Sequence, residues 1–318
     1  MFLNMLTRRH IRIKAMQSIY AMSNGNQNSL QEQSIFLNKS CFQVVDLYFV
    51  IISFFNNLWK HSKNQLDIHK TEIRSHDNEL LSHQFINENP FLFFLGNDIK
   101  LNELLKKKKI IHWDIQFDYI QKVYLNLLKS EFLKDFLKIK NLGLDLKHKF
   151  IVDLFKKIIA SDEKLHDFYE EININWIDDI PLVNTYILKQ LKKNDFKKYF
   201  LFDLPNLNDH KIDIDFGIQL FEIVISKDAE LKLEVEGRTP NWDSDRIAKL
   251  DAILIKMAIA EFIYFKNIPP KVTLNEYLEI AKDYSTPKSN IFINGVLDRL
   301  VKDYEINHRL NKEGRGLM

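Results

Sequence analysis

The sequence is poor in cysteine, glycine and proline, and it lacks a long apolar run and an excess of charge of one sign. Cys41 is the single cysteine in 318 residues, so an intrachain disulfide and an all-cysteine metal site are excluded, which fits a reducing cytosol. The longest apolar run, Leu47–Phe55, falls short of the roughly 18–20 residues that span a bilayer. Met1–Leu6 is too short for the apolar region of a signal peptide. The sequence therefore predicts a cytoplasmic protein without a membrane segment.

Neither positive nor negative charge is in large excess. The 45 basic and 43 acidic residues leave a formal net charge of +2. Such a balance creates no global field that would attract a polyanion. Any contact with nucleic acid must come from a local basic patch.

Turn-forming residues are scarce, with 8 glycines and 7 prolines. Few breakers favour long helices, and apolar residues recur at spacings of three and four without sustained alternation. We therefore predict an all-α protein. The sequence contains no glycine-rich phosphate loop, nucleophile elbow or zinc-protease motif, which argues against an enzyme and against a bound cofactor.

The apolar periodicity predicts a series of helices separated by polar segments. A loop is expected at 202–213, around Pro205. The predicted helices cover residues 5–22, 30–66, 114–139, 146–172, 179–194, 214–235, 243–266, 274–284 and 288–304.

One internal repeat is visible, because residues 150–188 align without a gap over 216–254. An Asn-Trp-x-x-Asp turn stands in both copies, at Asn175–Asp179 and Asn241–Asp245. The pattern indicates two similar helix hairpins packed in series. A chance match between amphipathic helices is the alternative.

The C-terminal quarter carries the most specific motif. Its sequence reads Ile268-Pro-Pro-Lys-Val-Thr-Leu-Asn-Glu276, then Glu279-Ile-Ala-Lys282, then Phe292-Ile-Asn-Gly-Val-Leu-Asp-Arg299. Thr273–Glu276 is predicted to be a capping box, and Ser285-Thr286-Pro287 a cap followed by a proline at the first helical position. Gly295 inside the last helix suggests the close approach of another backbone or a ligand.

These motifs resemble the signature of the NusB family of transcription antitermination factors. Arg8-Arg-His-Ile-Arg12 and Ala15–Tyr20 resemble the family's first helix. The resemblance implies two packed helical bundles. It also implies binding to the boxA element of nascent ribosomal RNA leaders, together with the ribosomal protein NusE, in a polymerase antitermination complex. It leaves open whether the protein is a monomer or a homodimer.

The resemblance also predicts how the chain is organised. Residues 1–25 would supply the first core helix, and residues 211–305 the rest of the core and the C-terminal bundle. Residues 26–210 would be a helical insertion of unknown role in the N-terminal half. Residues 306–318 are expected to form a flexible tail.

The start of the first helix is a candidate RNA-binding site. Arg8, Arg9 and Arg12 lie in its first turns with Lys14 nearby, where cations oppose the helix dipole. A bound anion would explain this placement, since arginines and free backbone N–H groups would act together. A solvated basic helix start is the alternative.

A second candidate RNA contact lies at the start of the last helix. Lys288 and Ser289 stand beside free N–H groups, and Phe292 lies off the main apolar stripe, where it would stack on an unpaired base. Packing of Phe292 in the core is the alternative. Family members often carry an acidic residue where this chain has Lys288. Lys271, within the motif Ile268–Glu276, is a further candidate RNA contact.

Two residues are candidates for contact with a NusE-like partner. Tyr20 belongs to the family motif of the first helix. Glu261 falls on an otherwise apolar stripe, so it would either meet a basic group of the partner or lie at the edge of the core and reach water.

Two further clusters have simpler interpretations. His69, His76 and His83 are spaced by seven residues, but structural zinc sites favour tighter spacing and cysteine, so a polar helix face is preferred and no metal is predicted. The lysine run 106–109 is interpreted as a solvated charge run rather than an RNA contact. Two alternatives to the adaptor are a protein-only helical scaffold and a relative of the RNA cytosine methyltransferases that carry NusB-like domains.

Overall fold

In a computed structural model, the described residues are 5–25, 29–71, 77–139, 142–193, 205, 210–236, 248–310 and 312–313. Throughout these ranges the regular structure is helical, without a strand, which confirms the predicted all-α class. The chain divides into two compact units. Unit 1 comprises Met1–Met5 and Phe42–Pro205, and unit 2 comprises Leu6–Cys41 and Asn206–Met318.

The helices follow one another in chain order, and α2 belongs to unit 2 up to Cys41 and to unit 1 beyond it. Their bounds are α1 Arg8–Ser23, α2 Leu30–Thr71, α3 Asp77–Asn87, α4 Pro90–Asn97, α5 Ile99–Lys107, α6 His112–Ile115, α7 Phe117–Lys129, α8 Glu131–Leu137, α9 Leu144–Leu154, α10 Glu163–Ile172, α11 Ile180–Lys193, α12 Lys211–Ser226, α13 Asp228–Glu236, α14 Lys249–Tyr264, α15 Pro270–Tyr284 and α16 Pro287–Ile306.

Unit 1 is built around the long helix α2. Its apolar middle is buried, and Phe54 packs edge-on against Trp113 with ring centroids 5.1 Å apart. The indole N–H of Trp113 donates to the carbonyl of Val50, 2.8 Å away, and that of Trp176 donates to the carbonyl of Gln43, 2.9 Å away. These bonds attach α6 and the turn before α11 to α2.

Among the described helices, α2 is long and apolar enough to cross a membrane by length and composition alone. Of its most apolar stretch, 61% is buried inside the protein. That burial is typical of the central helix of a folded domain.

Polar caps divide several helices that the periodicity predicts as single ones. Ser130 accepts a hydrogen bond from the backbone N–H of Leu133, so α8 starts separately from α7. Asp162 caps α10 through the N–H of Leu165 and separates it from α9, which ends in a π-helical turn. Apolar spacing continues across such breaks, and the local side-chain hydrogen bond decides where the backbone turns.

Unit 2 is centred on α14, which packs against α12, α13, α15 and α16. Helix α1 lies against α12, α14 and α15. Gly217 allows the close approach of α12 to α1, since a Cβ there would lie 2.2 Å from Cγ2 of Ile11. Gly295, where close approach was predicted, has open space around an added Cβ, so no part of the described protein requires a glycine at that position.

The ends of the helices in unit 2 follow local sequence signals in part. Helix α1 ends before Asn24, and Gly25 adopts φ +88, as expected for a helix stop. Thr286 caps α16 by accepting from the N–H of Ser289, 3.1 Å away, as predicted. The predicted capping box at Thr273 is wrong, because α15 already begins at Pro270 and the Thr273 side chain bonds elsewhere.

The residues that follow α16 are held by the core. Arg309 forms a bidentate pair with Glu234, with its Nη2 2.7 Å from Oε1. Lys312 donates to the carbonyls of Glu261 and Phe265 at the C-terminal end of α14, at 3.0 and 2.9 Å. These described residues of the predicted flexible tail thus have defined partners.

The two copies of the internal repeat have the same order of helices. Helices α9, α10 and α11 correspond to α12, α13 and α14. Matched apolar positions are buried in both copies, including Phe150 and Phe216, Leu154 and Leu220, Phe155 and Phe221, and Leu165 and Leu231. The second Asn-Trp turn, at 241–245, lies outside the described residues.

Candidate nucleic-acid interface

The strongest polar feature of unit 2 is a buried ion pair between α1 and α14. Arg12 Nη2 lies 2.7 Å from Glu261 Oε1, and Arg12 Nε lies 2.9 Å from Oε2. The side chains are only 2% and 0% exposed. This bidentate geometry joins the first helix of the chain to the helix at the centre of the C-terminal bundle.

Neighbouring hydroxyls complete the coordination of the Glu261 carboxylate. Thr273 Oγ1 donates to Oε1 at 2.8 Å, and Tyr277 Oη donates to Oε2 at 3.2 Å. The Arg12 guanidinium also lies 5.1 Å from the centre of the Phe216 ring. Burial alone would lower the pKa of Arg12, but the hydrogen bonds and charge of Glu261 outweigh it and raise that pKa.

The burial of three residues changes the roles expected for them. Arg12 has no exposed guanidinium to offer a phosphate, because Glu261 already occupies it. Glu261 neither reaches water nor presents a carboxylate to a partner, since it is 0% exposed. Lys14 is 3% exposed and buried as well. Packing of α1 against α14 fixes the outcomes for Arg12 and Glu261, which the spacing within one helix does not reveal.

Arg8 and Arg9 lie closer to solvent, and each has a carboxylate partner. Arg8 Nε donates to Asp213 Oδ1 at 2.6 Å, with the Arg8 side chain 44% exposed. Arg9 forms a bidentate pair with Glu276 at 2.9 and 3.1 Å, and Glu279 lies 3.9 Å from its Nη1. The hydrogen bonding of the Arg9 guanidinium to the Glu276 carboxylate is the main cause that raises the pKa of Arg9.

These carboxylates account for arginines at a helix start. The dipole of α1 disfavours cations there, but Asp213, Glu276 and Glu261 supply opposite charge from other helices. The placement of the arginines by itself therefore does not require an anionic ligand. The arginine with guanidinium nitrogens left over is Arg8, because only its Nε is engaged by a carboxylate within the described residues.

A cavity of about 690 Å³ opens at this helix start, and we call it the α1 groove. Its walls come from the start of α1, from the turn between α14 and α15, and from α15. The Thr7 side chain does not cap α1, because its hydroxyl lies 2.7 Å from Nδ1 of His10. The lining residues are Thr7, Arg8, Arg9, His10, Arg12, Ile13, Asn267, Ile268, Pro269, Val272, Glu276 and Asp283.

The other predicted RNA contacts lie outside the lining of the α1 groove. Lys271 and Lys288 are exposed in the first turns of α15 and α16. Ser289 is half-buried, and its hydroxyl lies 2.9 Å from that of Thr286. Phe292 is half-buried on α16. Their positions as a second contact stay a prediction.

Tyr20 is exposed near the other end of α1, with 43% of its surface accessible. The ammonium of Lys249 lies 6.0 Å from the centre of its ring. Twelve residues separate Tyr20 from Arg8, which corresponds to about 18 Å along a helix. The two candidate surfaces, for RNA and for protein, are therefore well separated on α1.

The histidine cluster of unit 1 has a structural role that periodicity does not indicate. His83 is 2% exposed, and its Nδ1 lies 2.5 Å from the Tyr124 hydroxyl, so it does not lie on a solvated polar face. Burial and, second, the nearby His69 lower the pKa of His83 to about 4. His76 lies outside the described residues, within which no group of side chains is arranged to hold a metal ion. In the lysine run, Lys108 pairs with Asp46 at 2.8 Å.

In comparisons with known proteins, the C-terminal part of the chain matches a protein family. The sequence model of the NusB family matches residues 182–302. The transcription antitermination protein NusB of Salinibacter ruber is 43% identical over 104 residues, covering 33% of this chain and 65% of that protein. The proteins of the same name from Chloroherpeton thalassium and Clostridium kluyveri are each 39% identical, covering 33% and 32% of this chain and 49% and 65% of their own lengths.

The extent of these matches matters for the site. The chain spans between about half and two thirds of the length of these relatives. The arginines of α1 lie outside residues 182–302, whereas Glu261, Glu276 and the start of α16 lie inside them. No solved structure matches the chain significantly. The matched residues and the helices they form identify the C-terminal part of this chain, residues 182–302, as a domain of the NusB family.

Proposed function

We propose that this protein is a non-enzymatic, cytoplasmic RNA-binding adaptor of transcription antitermination. In this proposal it binds boxA-type RNA of nascent ribosomal RNA leaders, together with a NusE-like ribosomal protein, within the antitermination complex of RNA polymerase. The similarity of residues 182–302 to proteins named transcription antitermination protein NusB carries the proposal. These relatives are named as antitermination proteins and not as enzymes, which supports an adaptor over a methyltransferase.

The α1 groove supports RNA binding through Arg8. Its outer guanidinium nitrogens have no carboxylate partner within the described residues, and the uncapped first turn of α1 lies beside them. Phosphate oxygens are good acceptors for both kinds of donor. We therefore assign the phosphate contact to Arg8, with Arg9 partly occupied by Glu276.

The test is the affinity of the full chain for a labelled boxA-type RNA and for a scrambled RNA of equal length, at several salt concentrations. The wild type is expected to prefer the boxA-type RNA and to lose affinity as salt rises. Arg8→Ala should weaken both complexes and lower the salt slope by about one. Lys302→Ala is the matched control, since it removes one cation from an exposed pair on α16.

Two outcomes would refute the RNA-binding proposal. One is an affinity that does not depend on RNA sequence, and the other is an affinity that is the same for Arg8→Ala and Lys302→Ala. A protein-only scaffold predicts both.

The start of α16 is proposed as a second RNA contact. Phe292 is half-buried, and the exposed Lys288 adds positive charge in the first turn of the same helix. Lys271 is exposed at the far end of α15, about 20 Å from the end of that helix, and stays a separate candidate contact. Stacking of a base on an aromatic ring contributes about 1–3 kcal/mol. Phe292→Leu should weaken boxA-type RNA binding by at least about fivefold. An unchanged affinity with an intact helical circular dichroism spectrum would instead assign Phe292 to packing.

The exposed end of α1 is proposed as the surface for a NusE-like protein. Tyr20 provides an accessible aromatic ring with a polar tip, a combination common at protein interfaces. Tyr20→Ala should abolish co-purification with that protein while RNA binding by Arg8 persists. Co-purification of Tyr20→Ala at the wild-type level would remove this surface from the proposal.

A further inference from the structure

A row of acidic residues on α15 faces the arginines of the α1 groove. We call Glu276, Glu279 and Asp283 the α15 carboxylates. They are spaced by three and four residues and therefore share one face of the helix. Glu276 and Asp283 line the α1 groove, and the charges of all three act on Arg9.

The α15 carboxylates hold Arg9 in the same way that a phosphate would hold it. Glu276 occupies the guanidinium through two hydrogen bonds, and Glu279 lies 3.9 Å from the remaining Nη1. A carboxylate and a phosphate are both bidentate acceptors for arginine. An acceptor fixed on the same molecule competes at a high effective concentration. An RNA phosphate therefore meets Arg9 already paired and meets two further negative charges beside it.

Solvent exposure shows which of these charges an RNA strand would meet. The Glu279 side chain is 42% exposed and also pairs with Lys282, and Asp283 is exposed. Glu276 is 21% exposed and serves mainly to fix Arg9. Glu279 and Asp283 thus form the solvent-facing part of an acidic wall beside Arg9.

We infer that the α15 carboxylates are a specificity device, an internal competitor that suppresses the binding of arbitrary polyanions at the α1 groove. The inference rests on the proposed function. An RNA held in one register by base contacts keeps its backbone in a fixed position along Arg8. A non-cognate RNA binds through its phosphates alone in many registers, so it meets the acidic wall in most of them. The wall therefore weakens non-cognate binding more than cognate binding.

The test removes the exposed part of the wall. Glu279→Gln with Asp283→Asn deletes two negative charges and leaves the pair between Arg9 and Glu276 in place. Two unit charges about 10 Å from a phosphate each contribute about a factor of two in water, so scrambled RNA should bind about fourfold tighter at low salt. Binding of boxA-type RNA should change by less than about twofold, so the preference for it falls.

The matched control is Glu230→Gln with Glu236→Gln on α13. These residues are 66% and 40% exposed, pair with lysines on the same face, and give the same change in net charge. Neither lines the α1 groove. The urea midpoints of both double variants should equal that of the wild type, which shows that the fold is retained.

The outcomes separate this inference from the proposed function. A wild type that does not distinguish the two RNAs overturns the proposed function. A wild type that distinguishes them, together with a wall variant that shifts both RNAs equally or shifts them no more than the α13 control, overturns the specificity device. A loss of preference in the wall variant alone supports it.

Discussion

The buried pair between Arg12 and Glu261 leads to the sharpest prediction about stability. Glu261→Gln keeps the shape of the side chain but turns one of the two oxygens that accept from Thr273 and Tyr277 into an amide donor. It also removes the counter-charge nearest the Arg12 guanidinium, which is 2% exposed and keeps only Glu276, 3.5 Å from its Nη1. Removing one partner of a buried ion pair costs about 3–5 kcal/mol. Because the free energy of unfolding of a domain is about 5–15 kcal/mol, this loss is a large fraction of the stability of unit 2.

The complementary change leads to a stronger test. Arg12→Met leaves a buried carboxylate and should also cost about 3–5 kcal/mol. The double variant Arg12→Met/Glu261→Gln contains no buried charge at this position, so it should be less destabilised than either single variant. The coupling energy from the double-mutant cycle should therefore exceed about 2 kcal/mol.

The assay is unfolding by urea, monitored by far-ultraviolet circular dichroism and by tryptophan fluorescence. Three of the four tryptophans belong to unit 1, so fluorescence reports mainly on that unit, whereas circular dichroism reports on both. The loss should appear in the dichroism transition with little change in fluorescence. The exposed pair Lys302–Asp298 on α16 is the control, and its cycle should give about 0–1 kcal/mol.

Two results would refute this reasoning. One is that Glu261→Gln lowers the free energy of unfolding by less than about 1 kcal/mol. The other is a double variant whose cost equals the sum of the two single costs. Either would mean that water or another group compensates the charge of Arg12.

Three further predictions concern other parts of the fold. Because the folded-state pKa of His83 is about 4, below the ordinary value of 6.5, the unfolded chain binds the extra proton between these values. Unit 1 should therefore lose up to about 3 kcal/mol as pH falls through this window. Urea midpoints measured by tryptophan fluorescence should show this loss, and they should depend less on pH in His83→Leu. The same dependence on pH in the wild type and in His83→Leu would contradict the assignment to His83. Gly217→Ala should cost about 1–3 kcal/mol by overpacking against Ile11. Gly295→Ala, which meets open space, should instead stabilise its helix by about 0.5–1 kcal/mol, and thermal melting that ranked the two alike would be a refutation. Lys312→Met removes two hydrogen bonds to the end of α14 and should lower the stability by about 1–3 kcal/mol in urea, whereas an unchanged midpoint would show that the tail contributes nothing.

The helical class and several helix ends follow from local sequence. The scarcity of glycine and proline, together with apolar spacing of three and four, predicts helices whatever their neighbours. Asn24-Gly25 ends α1, and Thr286-Pro287 starts α16, because these signals act within one turn of the chain. The helix breaks at Ser130 and Asp162 are also local, since each side chain caps the helix that follows. A polar residue inside an amphipathic pattern can cap a helix or face solvent, so the sequence does not indicate which of the two occurs.

The candidate site depended on tertiary structure. Sequence alone singled out Arg8, Arg9, Arg12 and Glu261 as unusual, because cations oppose the dipole at a helix start and a carboxylate interrupts an apolar stripe. It could not pair Arg12 with Glu261, since 249 residues separate them and only the packing of α1 on α14 brings them together. That packing turns an expected RNA contact and an expected partner contact into a single buried pair. Of the three arginines of α1, it leaves Arg8 with outer nitrogens that no carboxylate of the described residues engages, because the α15 carboxylates approach Arg9 from a helix that the spacing of α1 does not encode.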